Sequence, residues 1–249
     1  MTMTLSIDCG GSGIKGSVLD ETGTQHAARI RIPTPYPMNP DLFLHTLGQL
    51  AAWLPPADRI TVGIPGMIRH GVVVWTNHYT TVAGPHTAVD PALRDAWFGW
   101  DAQAAITERL ELPALVLNDA EVHGAGTITG VGFELVVTLG TGFGCAFFDG
   151  GRLAPHLEFA HATLRKSRTF DDYLGGHERR RIGTDKWSKR VARVMTELRP
   201  VFHWDRLTIG GGNGRRIRPK YLYELGNDVV IVPNDAGIVG GVRAWSLLR

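Results

Sequence analysis

The chain has 249 residues, of which 43% are hydrophobic, so it can bury a full core as one large or two modest domains. Its formal net charge of +2 is nearly neutral and gives no argument for or against nucleic acid as a partner. The cysteines are Cys9 and Cys145 alone, which excludes a disulfide framework and a cysteine-rich zinc site and fits a reducing cytoplasm.

Apolar runs alternate with helical segments, from an N-terminus in which no signal peptide is visible. The longest apolar stretch, residues 135–148, is too short to span a bilayer, so we expect a cytoplasmic protein without a membrane partner. Residues 77–96 carry few helix or strand signals and are predicted to form a long surface loop. Strands are predicted over Thr4–Cys9, Lys15–Leu19, His26–Ile32, Arg59–Ile64, Gly71–Trp75, Ala114–Leu117, Leu135–Leu139, Cys145–Asp149, Arg206–Ile209 and Asp228–Ile231. Helices are predicted over Asp41–Trp53, Asp101–Leu110, Thr169–Leu174, Gly176–Ile182, Lys186–Phe202 and Ala236–Leu248.

The order of these elements suggests a duplicated fold. Three consecutive strands joined by hairpins precede the first helix, and a strand pair recurs near residues 135–149. This order resembles the duplicated half of an actin-like (ribonuclease H-like) nucleotide-binding fold. We therefore predict an α/β protein of two actin-like domains with a central cleft, over residues 1–120 and 121–235. The last helix, about 236–249, is a candidate to pack on the first domain.

The segment Leu5–Gly16 predicts a hairpin with a glycine turn, Gly10-Gly11-Ser12-Gly13, and a carboxylate, Asp8, at its edge. Glycine leaves main-chain N–H groups open to an anion, and a carboxylate can hold hydrated Mg²⁺ beside phosphates. The alternative is an ordinary glycine-rich turn. A dinucleotide-binding motif is excluded, because a strand-like run follows the glycines and no acid occurs about 20 residues further on.

A second candidate site is the Asn118-Asp119 pair, just past the apolar run 114–117, where a helix is predicted to start. In one interpretation either residue caps that helix. In the other, Asp119 is a general base that accepts the proton of a sugar hydroxyl as its oxygen attacks phosphorus. The residues alone leave both interpretations open.

Two further glycine turns follow apolar strands in the second half of the chain. Gly140-Thr141-Gly142 combines exposed N–H groups with a hydroxyl that can bond phosphate oxygens, and with the first turn it can hold a phosphate chain from both sides. Gly210-Gly211-Gly212 leaves room for a flat base or a further phosphate. The alternative for each is a plain turn.

Polar and basic side chains are clustered between residues 158 and 220. Glu158 and His161 can share one face of a turn and hydrogen-bond neighbouring hydroxyls of a polyol, or they are an exposed loop pair. Zinc is disfavoured because no third ligand stands nearby. The basic residues of 165–193 and 215–220 have few acids among them, so they form either a solvated helix face or a track for a polyanion such as polyphosphate.

Taken together, these motifs resemble the ROK family of sugar kinases, and within it the polyphosphate glucokinase-like branch. The resemblance runs almost end to end in chain order. It is carried by the segments 8–16, 64–66, 117–120, 138–144, 158–161, 210–212 and 234–240, with residues 173–175 and 183–187 also similar.

The resemblance implies a cytoplasmic kinase that transfers a phosphoryl group from polyphosphate or ATP to the 6-hydroxyl of glucose or a related hexose, with Asp119 as the base. It implies Mg²⁺ as cofactor, held through water by Asp8, and no structural zinc. We also expect a homodimer, and no nucleic-acid partner, because no room precedes the first strand for the helix-turn-helix of family repressors. Sugar-binding residues would be Asn118, Glu158, His161 and Asn77. Phosphate- or nucleotide-binding residues would be Asp8, Gly10, Gly11, Ser12, Gly13, Lys15, Gly140, Thr141, Gly142, Gly210, Gly211 and Gly212.

The sequence departs from the family pattern in several segments. Ala160 stands where the family usually has glycine. The stretch 121–126 is shorter than the helix that usually follows the aspartate, and the 77–96 loop does not match the usual sugar-contacting segment. The alternative function is therefore a non-catalytic sugar-sensing regulator on the same fold. A third hypothesis is an actin-like ATPase acting on protein partners, which the Glu158–His161 pair disfavours.

Overall fold

The described residues, 1–233 and 236–247 of a computed structural model, fall into two units, each built around a five-stranded sheet. The first unit contains Met1–Gly126 and the segment from Gly237 onward, and the second contains Thr127–Ala236.

The sheet of the first unit has the strand order β3-β2-β1-β4-β7. β1, β4 and β7 run parallel, while β2 and β3 are antiparallel to their neighbours. A separate hairpin is formed by β5 and β6. The strands are β1 (Thr4–Gly10), β2 (Gly13–Leu19), β3 (Ile30–Ile32), β4 (Arg59–Ile64), β5 (Met67–Arg69), β6 (Val72–Trp75) and β7 (Ala114–Asn118). The helices up to Gly126 are α1 (Pro40–Ala52), α2 (Pro91–Trp97), α3 (Ala102–Leu110) and α4 (Asp119–Ala125).

The second unit repeats this arrangement with a sheet of order β10-β9-β8-β13-β14, in which β8, β13 and β14 are parallel and β9 and β10 antiparallel. The repeat confirms the predicted duplicated α/β fold. Its strands are β8 (Phe133–Leu139), β9 (Phe143–Asp149), β10 (Arg152–Leu153), β11 (Thr163–Arg165), β12 (Arg168–Thr169), β13 (Arg206–Gly210) and β14 (Val229–Ile231). Its helices are α5 (Phe170–Leu174), α6 (Gly176–Ile182), α7 (Thr184–Phe202) and α8 (Pro219–Tyr223), after which α9 (Ala236–Leu247) returns to the first unit.

Side chains of β1 alternate between an apolar face and a polar face of the sheet. Leu5, Ile7 and Cys9 are buried in the apolar core with side chains of α1 and α3, whereas Ser6 and Asp8 lie on the opposite face because successive side chains of a strand alternate. On that face Gly241 of α9 packs so closely that a Cβ would collide with the Ser6 hydroxyl. The polar face of β1 is therefore covered by α9 and leads to Asp8 near the strand end.

The core of the second unit is built between its sheet and α7. Trp187, Val191 and Met195 of α7 are fully buried with Leu135 of β8 and Leu207 of β13. Burial of such large apolar side chains contributes roughly 1.5–3 kcal/mol each, so this helix face provides much of the unit's stability. Among the helices described, none is long and apolar enough to cross a membrane.

Two predicted elements differ from the structure. β3 begins at Ile30 instead of His26. The His26 amide still donates to the Val18 carbonyl, but its ring pairs with Asp20 at 2.7 Å and residues 26–29 form no regular strand. The predicted surface loop over 77–96 is wrong in part, since Tyr79 is fully buried and α2 starts at Pro91. The Asp90-Pro91 pair is a helix-start signal, with Asp90 accepting a hydrogen bond from the α2 backbone.

The two units divide at Gly126, whereas the predicted boundary near residue 120 lies at the start of α4. α4 belongs with the first sheet because Val122 packs against Gly63 of β4 and Gly240 of α9. At Gly240 a Cβ would collide with the Val122 carbonyl, so this helix pair requires glycine there.

Glu178 of α6 is the buried centre of an ion-pair cluster in the second unit. Its side chain is 2% exposed and pairs with Arg181 at 2.6 Å, Arg168 at 2.9 Å and Arg190 at 2.5 Å. Hydrogen bonds from Arg181, Arg168 and Arg190 hold the pKa of Glu178 well below its usual range, against the opposing effect of burial.

We expect Glu178→Gln to lower the free energy of unfolding by about 2 kcal/mol at pH 7, because the buried carboxylate is the charge partner that three arginines share and a neutral amide cannot replace it. A lowered native pKa stabilises the fold above the usual pKa of glutamate, and this contribution is lost as the pH falls through the native pKa. The difference from wild type, measured by urea unfolding, should therefore shrink below about pH 4.

Glu197→Gln is the matched control, because Glu197 pairs with Arg193 on α7 but is 56% exposed. An exposed pair of this kind contributes less than about 1 kcal/mol. Equal losses for the two variants would show that burial of Glu178 does not determine its contribution.

Candidate functional site

The first glycine turn is held by side chains that bind its carbonyl oxygens. Gly11 and Ser12 connect β1 to β2. The carbonyls of Gly10, Gly11 and Ser12 accept hydrogen bonds from Thr34 Oγ1 at 2.7 Å, Tyr36 Oη at 2.8 Å and Arg31 Nη2 at 2.7 Å, respectively. The amides of Gly11 and Ser12 have no acceptor among the described residues. The turn therefore presents two adjacent N–H groups that an anion can bind.

Asp8 lies directly opposite Lys15 in the β1–β2 pair, and its Oδ2 is 3.1 Å from Lys15 Nζ. Each side chain is 24% exposed, so the pair is accessible from solvent. Lys15 neutralises the carboxylate and places an ammonium group near the glycine turn.

Asp119 is positioned by the parallel strands at the centre of the first sheet. β4 lies between β1 and β7, and Gly63 of β4 is opposite both Asp8 and Leu117. A Cβ on Gly63 would lie 3.1 Å from the Asp119 Cα. Because Gly63 has no side chain, Asp119 can pack closely against β4 at the residue that pairs with Asp8. Both aspartates therefore lie near the C-terminal ends of the parallel strands of this sheet.

Asn118, not Asp119, is the cap of α4. Asn118 Oδ1 accepts from Ala120 N at 2.8 Å, and Glu121 completes a capping box by accepting from Asn118 N at 2.9 Å. Asn118 is buried and its Nδ2 donates to Gly66 O at 2.8 Å. These contacts fix the start of α4 and leave Asp119 partly exposed. Asn118 is therefore the cap, and the role of Asp119 as a general base stays a prediction.

The segment that contains Asn77 lies against the first glycine turn. A Cβ on Gly11 would lie 2.7 Å from Pro85 and 3.2 Å from His78. The segment is anchored by Tyr79, which is fully buried with its ring 5.7 Å from Phe43. Asn77, the predicted sugar ligand, is partly buried. It directly precedes His78, whose ring lies against the turn.

Burial dominates the electrostatics beneath these carboxylates. It raises the pKa of the Cys9 thiol well above its usual value, and the charges of Asp8 and Asp119 add to that effect. The pKa of Tyr79 is raised in the same way by burial, with Cys9, Tyr36, Asp119 and Asp8 contributing. Both groups are therefore neutral at physiological pH.

The second glycine turn uses the same arrangement with different partners. The Gly140 carbonyl accepts from Gly176 N at 3.1 Å and Asn213 Nδ2 at 2.7 Å, and the Thr141 carbonyl accepts from Gly176 N at 3.0 Å. Within the described part of the chain, the amides of Thr141 and Gly142 have no acceptor. This turn also presents two adjacent N–H groups.

The third glycine run lies beside the second turn. Gly210 ends β13 and pairs with Thr138, and a Cβ on Gly211 would lie 2.5 Å from the Leu139 carbonyl. Gly212 has open space around it. Asn213 follows this run and donates a hydrogen bond to the Gly140 carbonyl. The segment therefore has a structural role in supporting the second turn.

The basic residues separate into two groups. Arg168, Arg181 and Arg190 neutralise Glu178 and are structural. Arg179, Arg180 and Arg216 have no carboxylate partner among the described residues, and Arg180 Nη1 is 3.5 Å from the position of a Gly176 Cβ. Burial lowers the pKa of Arg179, and repulsion from Arg216 and Arg180 adds to this. The three guanidinium groups thus concentrate positive charge near the second turn.

Glu158 and His161 occupy the two ends of one short 3₁₀ turn, Phe159–His161. Glu158 Oε1 accepts from Ala160 N at 3.2 Å, and its Oε2 is 3.5 Å from the Nε2 of the buried His156. His161 is exposed. Ala160 is buried in this turn.

Sequence reasoning missed the residues that support the glycine turns. Thr34, Tyr36 and Arg31 stand 19–25 positions from the turn they hold, and Asn213 stands 73 positions from Gly140. Lone polar residues at such separations give no local signal. The Asn234-Asp235 pair, quoted for the family resemblance, lies outside the described residues.

The donor set at the first turn fits a hydrated magnesium ion. No group of three or more His, Cys, Asp or Glu side chains that could hold a metal is present among the described residues. Mg²⁺ keeps several waters and binds through one or two carboxylates together with phosphates. Asp8 has a partly exposed carboxylate on the strand that leads into the turn with two unpaired amides, and it is suited to that kind of binding.

Comparison with known proteins places these features in a family. The ROK family model matches residues 4–157. Polyphosphate glucokinase of Mycobacterium tuberculosis is 31% identical over 96% of this chain and 89% of its own length. The crystal structure of the inorganic polyphosphate/ATP-glucomannokinase of Arthrobacter sp. strain KM superposes with a TM-score of 0.80 at 31% identity, covering 99% of both chains. A ROK family glucokinase from Streptomyces griseus, in complex with glucose and AMPPNP, has the same fold at 17% identity, with a TM-score of 0.72 and 98% of both chains covered.

The two tyrosines near the first turn provide a test of its packing. The Tyr79 hydroxyl is buried with no hydrogen-bond partner among the described residues, whereas the Tyr36 hydroxyl holds the Gly11 carbonyl. Tyr79→Phe should leave the free energy of unfolding unchanged or raise it by about 1 kcal/mol, and Tyr36→Phe should lower it by about 1 kcal/mol. Urea unfolding of both variants measures the contrast, and a clear loss with Tyr79→Phe would contradict the packing described.

Proposed function

Because this chain belongs to the ROK family, we propose that it is a sugar kinase that transfers a phosphoryl group from polyphosphate or ATP to the 6-hydroxyl of glucose or a related hexose. The observation that carries the proposal is the placement of Asp8 and Asp119 at one edge of a sheet, with Gly63 of the strand between them lacking a side chain. The similarity to polyphosphate glucokinase over 96% of the chain supports the same reaction.

In this proposal Asp119 is the general base. Its carboxylate is partly exposed, and its Oδ1 is held by the Ala120 amide at 3.0 Å. As the sugar oxygen forms its bond to phosphorus, the hydroxyl proton passes to Asp119 and the bond to the remaining donor phosphates breaks. Asn118 fixes α4 and thereby orients Asp119, so we assign Asn118 a positioning role in addition to its predicted contact with sugar.

Glu158, His161 and Asn77 are proposed to bind sugar hydroxyls. The Glu158 carboxylate is anchored by Ala160 N and faces His156, so it can accept from a hydroxyl without a change of position. His161 is exposed at the other end of the same turn. An acid and an imidazole on one turn can bind adjacent hydroxyls of a hexose.

Each glycine turn is proposed to bind donor phosphates through its own unpaired amides, and Lys15 adds an ammonium group at the first turn. Mg²⁺, held by Asp8 through water, would neutralise charge that develops on the phosphates. Gly210, Gly211 and Gly212 are assigned to the donor as well. Arg179, Arg180 and Arg216 favour a long polyanion, since unpaired guanidinium groups bind successive phosphates. ATP remains the alternative donor.

A regulator without catalytic activity receives less support, because Asp8, Asp119 and both glycine turns are present and the relatives above are named as kinases. A cytoplasmic location and a homodimer are retained as predictions.

Asp119→Asn should lower kcat by about 10²–10⁴-fold, because the amide cannot accept the hydroxyl proton. Glucose affinity should stay within a few-fold, since the substitution preserves shape. A coupled assay of glucose 6-phosphate and equilibrium binding of glucose measure the two quantities. Asp149→Asn, an exposed aspartate at the end of β9, is the control and should leave both unchanged. A wild-type rate for Asp119→Asn would exclude this residue as the base.

Arg180→Gln should raise the KM for polyphosphate by about tenfold, because one charge-assisted contact is lost. It should also reduce the steepness with which binding weakens as salt increases. Arg181→Gln is the neighbouring control, because Arg181 is committed to Glu178. It should reduce stability but leave the KM for polyphosphate close to wild type. Identical KM values for the two variants would contradict the proposal that Arg180 binds polyphosphate while Arg181 serves only to pair with Glu178.

A further inference from the structure

Arg31 of β3 contacts the first glycine turn, and the proposed reaction gives it no role beyond support of that turn. Its Nη2 donates to the Ser12 carbonyl at 2.7 Å. A Cβ on Gly13 would lie 2.6 Å from both Nε and Nη2 of Arg31. The guanidinium therefore fills the space that a side chain at Gly13 would need. Its bond to the Ser12 carbonyl attaches it to the turn in which the amides of Gly11 and Ser12 have no acceptor among the described residues.

The sheet register brings three charged side chains into one row next to the first glycine turn. Asp8 is opposite Lys15, and Lys15 is opposite Arg31, so the three side chains share one face of β1, β2 and β3. Lys15 and Asp8 form an ion pair at 3.1 Å, which leaves the charge of Arg31 as the net charge of the row. Arg31 is exposed and has no carboxylate partner among the residues described.

Support of the turn does not account for an arginine at this position. Thr34 and Tyr36 already hold the neighbouring carbonyls with uncharged hydroxyls. Arg31 uses one N–H in its bond to Ser12, whereas a guanidinium carries five in a planar fork that matches two phosphate oxygens. The remaining donors and the charge have no use within the described chain.

We propose that Arg31 is a donor-binding residue, whose guanidinium binds a phosphate group seated on the amides of Gly11 and Ser12. This inference rests on the proposed kinase function. The ligand class is a linear phosphate chain, which inorganic polyphosphate and the triphosphate of ATP share. Arg31 anchors to the backbone through Nη2 and binds the anion through its other N–H groups.

The test is binding of inorganic tripolyphosphate, and separately of ATP, to the full chain without sugar, by titration calorimetry at several salt concentrations. Arg31→Gln should weaken tripolyphosphate binding about tenfold and make the salt dependence shallower by roughly 0.7–0.9 in logarithmic slope. Arg31→Lys keeps the charge but loses the planar pair of N–H donors. Its affinity for tripolyphosphate should lie between those of wild type and Arg31→Gln. Weaker binding of both ligands assigns Arg31 to the shared phosphates, and weaker binding of tripolyphosphate alone assigns it to the polyphosphate chain.

Two controls separate anion binding from other effects. Arg29→Gln removes another exposed charge just before β3 and should leave binding unchanged. Thr34→Val removes the hydrogen bond to Gly10 without a change of charge, so it loosens the turn and should keep the wild-type salt slope.

The inference is overturned if Arg31→Gln binds tripolyphosphate and ATP as wild type does. It is also overturned if Thr34→Val reproduces the loss and Arg31→Gln retains the wild-type salt slope, since Arg31 would then only order the turn. Failure of the wild type to phosphorylate any hexose would remove the kinase function. The binding measurements would still decide whether Arg31 holds a phosphate chain, so the two failures are distinguishable.

Discussion

The close packing of α9 on the polar face of β1 is the constraint from which the geometry of the first unit follows. Gly240 and Gly241 allow α9 to approach the Val122 carbonyl and the Ser6 hydroxyl where any side chain would collide. Thr61 Oγ1 donates to the Gly241 carbonyl at 2.7 Å and closes this contact. The Ser6 hydroxyl is buried there without a hydrogen-bond partner among the described residues, so the close approach of the α9 backbone and small polar side chains characterise this face. The same face leads to the charged residue Asp8 near the strand end, because successive side chains of a strand alternate.

The alternation that buries Cys9 therefore also selects Asp8 for the polar face. Cys9 lies in the core, where burial raises the pKa of its thiol. Asp8, one residue earlier, lies on the opposite face, where Lys15 pairs with it from the neighbouring strand. A slip of one residue in the register of β1 would exchange these two side chains. Core packing and the chemistry of the carboxylate thus depend on the same strand register.

The sequence was sufficient for the architecture, for the positions of the glycine turns and for the helix start at Asn118-Asp119, because these are local patterns. Local patterns could not reveal what holds each turn, since Arg31, Thr34, Tyr36 and Asn213 are single polar residues brought in by the tertiary fold. Net charge was equally uninformative about the arginines. Arg180 and Arg181 are adjacent in the chain, yet only Arg181 pairs with the buried Glu178, and only the fold shows this difference.

The two glycine turns show why different residues can produce the same chemistry. In the first, hydroxyl and guanidinium side chains bind the carbonyls. In the second, the amide of Gly176 and the side chain of Asn213 do so. In both, adjacent amides have no acceptor among the described residues, because binding of the carbonyls fixes the turn while leaving the N–H groups unused. An anion that binds such amides pays little ordering entropy, since the turn is already rigid. The shared feature is therefore restrained carbonyls, which different residues provide in the two turns. Arg31 differs from the other restraining residues because it also brings a positive charge to its turn.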